Sequence, residues 1–264
     1  MARAHRYYIP GHIWHLTHRC HKKEFLLKFS KDRKRWLELL FEAKKRYGLI
    51  VLNYTVTSNH VHLIVFDDSG KDVIPRSVQL VAGRTGQEYN RRKQRKGAFW
   101  EDRYHATAVE NNQHLIQCMI YIDLNMIRAG AVDHPSEWPW SGYNEIQKPK
   151  KRYSIIDYNH LMLLLNYKNY SDLTKAYRKW IEVTLKEKVG TRDSRWSQSI
   201  ATGSRQFVEK IKRELGSIAR GRQVADTSGE YHELKETQAL YGNGTRWSEQ
   251  DNTVNWNVLP ETIV

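Results

Sequence analysis

Strand and helix patterns alternate along the first half of this chain. Residues 12–20 hold the strand formers Ile13, Trp14, Leu16 and Thr17 behind a Pro10-Gly11 break, and they predict a β-strand. Over residues 31–47, Trp36, Leu37, Leu40, Phe41 and Lys44 share one face at helical spacing, with basic residues around them. Residues 49–57 predict a second strand, Ser58-Asn59 interrupts it, and residues 60–66 predict a third. Asp67-Asp68-Ser69-Gly70 is a turn. A second helix is predicted over roughly 73–92, in spite of Pro75 early in it and Gly83 and Gly86 within it. Residues 98–109 predict one strand or two short ones. A third helix runs over about 111–129, with Asn111 or Asn112 to cap its start and Gly130 at the C′ position.

The order is β-α-β-β-α-β followed by a further helix. It matches the ferredoxin-like plan, an α+β fold whose antiparallel sheet carries two helices on one face. The added helix is then expected to cover part of the other face. Residues 135–140, Pro-Ser-Glu-Trp-Pro-Trp, cannot continue a helix and close a first domain over 1–147. Lys148-Pro149-Lys150-Lys151-Arg152 is a basic linker. Beyond it, 158–165, 171–187 and 205–215 read as helices, which makes 153–220 a helical C-terminal region. The last of these is amphipathic, with Phe207, Val208, Ile211 and Leu215 at helical spacing. From about Gly221 the pattern decays into polar residues with isolated Trp247 and Trp256, so 221–264 is expected to be a flexible tail.

Charge narrows the partner. The chain carries 43 lysines and arginines against 29 aspartates and glutamates, a formal net charge of +14. Such an excess favours a polyanion: nucleic acid first, an acidic membrane surface second. A merely soluble basic protein is the plainer reading. The two cysteines, Cys20 and Cys118, have no CxxC spacing; they imply neither a disulfide framework nor a zinc ribbon, and they suit a reducing cytosol. No apolar run approaches membrane-spanning length, and the basic N-terminus lacks the apolar core of a signal peptide. A cytoplasmic protein without a membrane partner is expected.

Candidate chemistry lies on the third strand and the third helix. His60 and His62, at i and i+2 of a strand, point to one face, while Val61, Leu63 and Val65 point the other way. Tyr121 and Asn125, at i and i+4 of a helix, share a face as well. If the helix lies over the strand, two imidazoles, an amide oxygen and a phenol converge. Structurally satisfied histidines on a sheet face look similar, and Tyr121 is one of 15 tyrosines, so neither segment decides alone. Two imidazoles suit zinc, manganese or nickel. With Asn125 as third ligand and a nucleic-acid substrate, phosphate oxygens supply hard ligands and favour Mg²⁺ or Mn²⁺. A phenol attacks poorly unless a metal or base helps it. Its attack on a phosphodiester makes a covalent phosphotyrosine and frees a 3′-hydroxyl, so the bond energy is kept and the strand can be rejoined.

Arg91, Arg92, Lys93, Arg95 and Lys96 precede Phe99, Trp100, Arg103 and Tyr104. Cations track phosphates and rings stack on unpaired bases, so these residues are candidate DNA contacts, with Arg103 among them. Lys150, Lys151 and Arg152 in the linker are further candidates. His12, His15, His18 and His21 recur every third residue and alternate faces along a strand; they form no single cluster, although His15 can line the active face.

Several stretches resemble one family, the REP-associated tyrosine transposases, which belong with the single-tyrosine transposases in the His-hydrophobic-His nuclease superfamily. They are the opening from Arg6-Tyr7-Tyr8 to His15-Leu16-Thr17, Asn59-His60-Val61-His62-Leu63, Gly97-Ala98-Phe99-Trp100-Glu101-Asp102-Arg103-Tyr104, the helix from Tyr121-Ile122-Asp123-Leu124-Asn125 to Ala129-Gly130, and Trp138-Pro139-Trp140-Ser141-Gly142-Tyr143. They cover about residues 1–146 in order. The resemblance implies that Tyr121 is the nucleophile and that His60, His62 and Asn125 bind a divalent metal, Mg²⁺ or Mn²⁺. It implies cleavage of single-stranded DNA near imperfect hairpins of repetitive extragenic palindromes, with a 5′-phosphotyrosine and a 3′-hydroxyl as products. It also implies a monomer or homodimer at the nucleoid. The family usually has proline after the helix asparagine; here Met126 follows Asn125, which would let the helix continue. The expected activity is a metal-dependent single-strand DNA endonuclease and strand transferase. The alternative is a non-catalytic DNA-hairpin binding or regulatory protein. An RNA-binding domain of the same strand order is disfavoured, because no RNP1-like strand is present.

Overall fold

Alternation in the first strand sets up two layers, one on each side of a single sheet. The computed structural model describes residues 8–70, 72–187, 193–226 and 231–236. Strand β1 (His12–Arg19), helix α1 (Ser30–Tyr47), strands β2 (Ile50–Val56) and β3 (His60–Asp67), helix α2 (Val73–Arg92) and strand β4 (His105–Val109) follow in that order. Their sheet order is β2-β3-β1-β4 with all neighbours antiparallel, which is the ferredoxin-like arrangement. Leu16, Val61 and Leu63 meet Trp36 and Leu40 of α1 and Val81 of α2 on one face. The buried stripe of α1 is Trp36, Leu39, Leu40 and Ala43. It is rotated from the expected face, so Leu37 and Phe41 are only partly buried. Gly48 ends α1 in the left-handed region (φ 75°), and Lys44, Lys45 and Arg46 occupy its last turn, where cations complement the helix dipole. Pro75 sits in the first turn of α2, where its missing N–H costs nothing. Gly86 is needed for closeness: a Cβ there would lie 3.1 Å from Cβ of Phe99.

Two expected elements differ. The strand predicted over 98–109 is only β4, with Trp100 joined to Cys20 by a single bridge. Side chains rather than a ladder hold the segment before it. Phe99 is buried against Tyr89, and the Trp100 indole donates to the Ala82 carbonyl at 3.0 Å. The helix predicted over 111–129 is broken at Leu124 into α3 (Gln113–Asp123) and α4 (Asn125–Arg128). The chain therefore bends just before Asn125 although no proline follows it.

Residues 138–141 cover the outer edge of β2. Val56 N–H donates to the Trp140 carbonyl at 2.9 Å, the Trp138 indole donates to the Val56 carbonyl at 3.0 Å, and Thr55 bridges Ser141. Short helices α5 (Gly142–Gln147) and α6 (Tyr158–Leu164) flank the linker, and α7 (Tyr170–Lys186) and α8 (Arg195–Gln198) come next. The linker is fastened rather than loose at its far end. The buried carboxylate of Glu145 accepts from Ile155 N–H at 2.7 Å and Ile156 N–H at 2.8 Å, and Lys44 Nζ donates to the Ile155 carbonyl at 2.9 Å.

The sheet then continues past β4. Strand β5 (Ala201–Gly203) pairs in parallel with β4; helix α9 (Arg205–Leu215), buried through Val208, Ile211 and Leu215, leads to β6 (Arg222–Asp226) and β7 (His232–Glu236). The full order is β2-β3-β1-β4-β5-β7-β6. Residues 222–226 and 232–236 were expected to belong to a flexible tail and are strands. Their apolar signal is slight, because Val224 and Leu234 are the residues that pack on the core. Trp247 and Trp256, like Arg6 and Tyr7 of the opening motif, lie outside the described residues. Among the described residues no helix is long and apolar enough to cross a membrane.

Candidate active site

The face of the sheet opposite α1 and α2 is polar at its centre. His15 and Thr17 of β1, His60 and His62 of β3 and His105 and Thr107 of β4 share it, because Thr17 pairs with His62 and with His105, and His15 pairs with Thr107. A register irregularity between Val51 and Asn53 turns Asn53 and Thr55 of β2 to the same side, where Thr55 pairs with His62. Helix α3 packs on this face, against β2 and β4. The convergence expected from spacing is therefore present. The rings of His60 and His62 are 4.8 Å apart, the rings of His62 and Tyr121 are 5.9 Å apart, and Asn125 Nδ2 is 3.2 Å from His62 Nε2.

Hydrogen bonds behind the histidines set their tautomers. Asn125 donates to His62 Nε2, so that nitrogen holds a lone pair and the ring proton sits on Nδ1. From there it is shared with His15 Nε2 at 2.9 Å, with Thr17 Oγ1 at 3.3 Å. The Nδ1 of His60 donates to Asn59 Oδ1 at 2.7 Å, which places its lone pair on Nε2 as well. Two imidazoles with Nε2 lone pairs, each braced at Nδ1, are what a metal site requires of its histidines. The third donor would be the Asn125 amide, whose oxygen reaches the nitrogen's position by a half-turn of the group. This donor set fits a divalent ion that keeps positions open. Among the described residues no group of three His, Cys, Asp or Glu side chains is arranged to hold a metal.

His15 is wholly buried and lies stacked on His62 with ring centroids 5.1 Å apart. Burial, helped by the neighbouring His105, pushes its pKa down to about 3, and a contact with the Trp196 backbone pulls weakly the other way. Its Nδ1 makes no hydrogen bond of ordinary geometry. His15 thus stays neutral, an acceptor for the His62 proton.

Tyr121 is nearly buried in an aromatic and cationic setting. The Trp196 ring lies 6.0 Å away and the His15 ring 6.5 Å away. The guanidinium of Arg128 sits 4.3 Å over the tyrosine ring and donates through Nη2 to the Tyr121 carbonyl. A cation over an aromatic face contributes about 0.5–2 kcal/mol, more when desolvated. Burial lowers the Arg128 pKa, and the Tyr121 phenol opposes that shift. Sequence reasoning missed Arg128, although it lies one turn beyond Asn125 on the same segment. It missed Trp196 too, and there no signal was available: α8 reaches the site only through the fold. The Ser199 carbonyl that follows α8 accepts from His105 Nε2 at 2.9 Å and Thr107 Oγ1 at 2.6 Å, which seats α8 on β4.

Asp123 was also passed over. It stands between Tyr121 and Asn125, is buried, and accepts from Tyr177 Oη at 2.5 Å, Asn53 Nδ2 at 3.1 Å and Thr55 Oγ1 at 3.5 Å. It ties the end of α3 to β2 and α7. Burial raises its pKa from 3.8 to about 7 against the pull of these donors. The folded state therefore holds this proton more tightly than the unfolded chain. Its contribution to stability is full below pH 3.8 and is lost as pH rises towards 7. Asp123→Asn is expected to flatten that decline in thermal melts taken across the interval. Equal slopes in the two proteins would rule the group out as its source.

The candidate DNA contacts divide. Arg92 pairs with the buried Asp32, and Arg95 donates to the Ala98 carbonyl at 2.8 Å and pairs with Glu24 at 3.5 Å, so both serve the fold. Arg91, Lys93, Lys96 and Arg103 are exposed. Their segment adjoins the chain leaving β1, since His21 N–H donates to the Phe99 carbonyl at 2.9 Å. Lys150, Lys151 and Arg152 are exposed too, and Lys150 pairs with Glu145 at 3.3 Å. They precede Ile156, which bridges Val51 and so lies at the opposite end of the β2–β3 hairpin from His60.

The sheet face thus bears two braced histidines, with a tyrosine and an amide on the helical segment laid over it. The family model described as "Transposase IS200 like" matches residues 9–125, a stretch that contains His60, His62 and Tyr121 and ends on Asn125. Over those residues the resemblance read from the motifs is borne out. Among solved structures, the chain is similar to a REP-associated tyrosine transposase bound to a REP hairpin, at 19% identity and a TM-score of 0.47, over 58% of this chain and 90% of that one. It is also similar to a chain from Deinococcus radiodurans R1 described as a transposase, at 19% identity and a TM-score of 0.32, over 46% of this chain and 95% of that one. No curated relative matches the sequence.

Proposed function

We propose that this protein is a metal-dependent single-strand DNA endonuclease and strand transferase that acts at hairpin DNA through a covalent 5′-phosphotyrosine. The observation that carries the reading is the meeting of His60, His62, Asn125 and Tyr121 at one place, with both histidines braced at Nδ1. The family match over residues 9–125 supports it. The hairpin bound by the REP-associated relative suggests the substrate class.

His60, His62 and Asn125 would hold the ion, Mg²⁺ or Mn²⁺. A divalent ion there supplies a Lewis acid that polarises the scissile phosphate and offsets charge on its oxygens. Tyr121 Oη attacks phosphorus, the bond from phosphorus to the 3′-oxygen breaks, and the phenolic proton leaves through solvent as the 3′-oxygen takes one up. The products are a 5′-phosphotyrosine and a 3′-hydroxyl, and the reverse attack reseals a strand. Arg128 holds the tyrosine ring and adds positive charge beside it. His15 keeps the His62 proton on Nδ1, and Asp123 fixes the end of the helix from which Tyr121 and Asn125 project.

The test uses labelled single-stranded hairpin oligonucleotides with Mn²⁺ or Mg²⁺, resolved on a denaturing gel. A covalent protein–DNA band is expected, and EDTA is expected to abolish it while native-gel complexes persist. Retarded complexes without a covalent band in any metal would favour the non-catalytic hairpin binder.

A further inference from the structure

Two of the five large apolar side chains that are exposed among the described residues lie in the short segment between β1 and α1: Phe25, 39% exposed, and Phe29, 48% exposed. Exposed apolar side chains grouped in one segment mark interaction surfaces more than singly scattered ones do. Their surroundings are cationic. Lys22, Lys23 and Lys28 are exposed on the same segment, and Lys93 Nζ lies 5.4 Å over the Phe29 ring. The acid of this segment, Glu24, is partly neutralised by Arg95. Part-exposed rings set among cations are what a protein offers to an unpaired nucleic-acid strand, since bases stack and phosphates pair.

The segment is also joined to the candidate active site. Asn59 donates through Nδ2 to the Lys23 carbonyl at 3.3 Å and accepts at Oδ1 from His60 Nδ1 at 2.7 Å. Cys20 N–H donates to the Asn59 carbonyl at 2.7 Å, and Leu27 N–H to the Ser58 carbonyl at 2.9 Å. One asparagine thus touches both the loop and a histidine proposed to bind metal. The segment that carries the two rings is therefore tied to the His60 end of the site.

We infer that Phe25 and Phe29, with Lys22, Lys28 and Lys93, form a stacking surface for the unpaired DNA strand that adjoins the scissile phosphodiester. The inference rests on the function proposed above and names where the substrate's single-stranded flank runs. The surface does not grip the hairpin stem, whose bases are already paired and stacked.

The experiment compares three oligonucleotides: a blunt hairpin, and the same hairpin with a single-stranded flank on its 5′ or on its 3′ side. Affinities are measured for the full chain and for the variants Phe25→Ala/Phe29→Ala and Phe25→Tyr/Phe29→Tyr. The native protein is expected to bind one flanked hairpin more tightly than the blunt one. The alanine pair is expected to lose about 10-fold or more of that affinity, to bind the blunt hairpin as before, and to keep the native far-ultraviolet spectrum. The tyrosine pair retains the flank gain. An alanine pair that binds every oligonucleotide like the native chain would overturn the inference, as would equal losses on blunt and flanked DNA or a native protein indifferent to flanks. A covalent band from the native chain alongside any of these results leaves the enzymatic reading standing, whereas failure of that reading is seen as the absence of the band itself.

Discussion

Tyr121→Phe is expected to abolish the covalent protein–DNA band while hairpin binding stays close to wild type. The substitution removes one oxygen and leaves a ring that still packs between Trp196, His62 and the Arg128 guanidinium. The carbonyl that Arg128 holds belongs to the backbone and is unaffected. Loss of the adduct would then be a loss of chemistry rather than of fold, which melting of the variant checks. The effect should be complete if Tyr121 is the nucleophile; a phenylalanine variant that still forms the adduct would move the nucleophile elsewhere.

The second large effect concerns His62. His62→Ala is expected to lower adduct formation on the order of 10³-fold, beyond the 10- to 100-fold typical of groups that only brace a metal ligand. It should also abolish Mn²⁺ binding measured by titration calorimetry on the DNA-free protein. A structural cost accompanies it: His15 Nε2 loses the donor it meets at 2.9 Å in a fully buried position. An unpaired buried polar atom costs about 1–3 kcal/mol, so the variant should melt lower than Tyr121→Phe. Tight Mn²⁺ binding that survives in His62→Ala would remove this residue from the ligand set.

The parts of the site that could be read in advance are those with local periodicity. His60 and His62 share a face because a strand repeats every two residues, and Tyr121 and Asn125 do because a helix repeats every 3.6. The same rule placed His15 on a usable face, but one strand's sequence does not contain its neighbour's register, and it was the register that set His15 against His62. The bend at Leu124 was hidden because Met126 stands where proline would have announced it. The β-α-β-β-α-β core was legible from its alternating blocks. Strands β5 to β7 were not: Ala201–Gly203 is too short to alternate, and β6 and β7 are largely polar. Asp123 was concealed by its neighbours, an apolar run in which one carboxylate looks like a surface residue until Tyr177, Asn53 and Thr55 close around it.

The parallel pairing of β4 with β5 bears on anyone who would trim this protein to a smaller tool. A version ending after Gln147 would keep His60, His62, Asn125 and Tyr121, though not the linker cations Lys150, Lys151 and Arg152. It would nonetheless leave one border of β4 with open amides and carbonyls, an invitation to pair with another molecule. It would also take away the indole beside Tyr121 and the Ser199 carbonyl that holds His105 and Thr107. Miniaturisation should therefore proceed from the described C-terminal end inwards, and stop before it reaches the strand that closes this border.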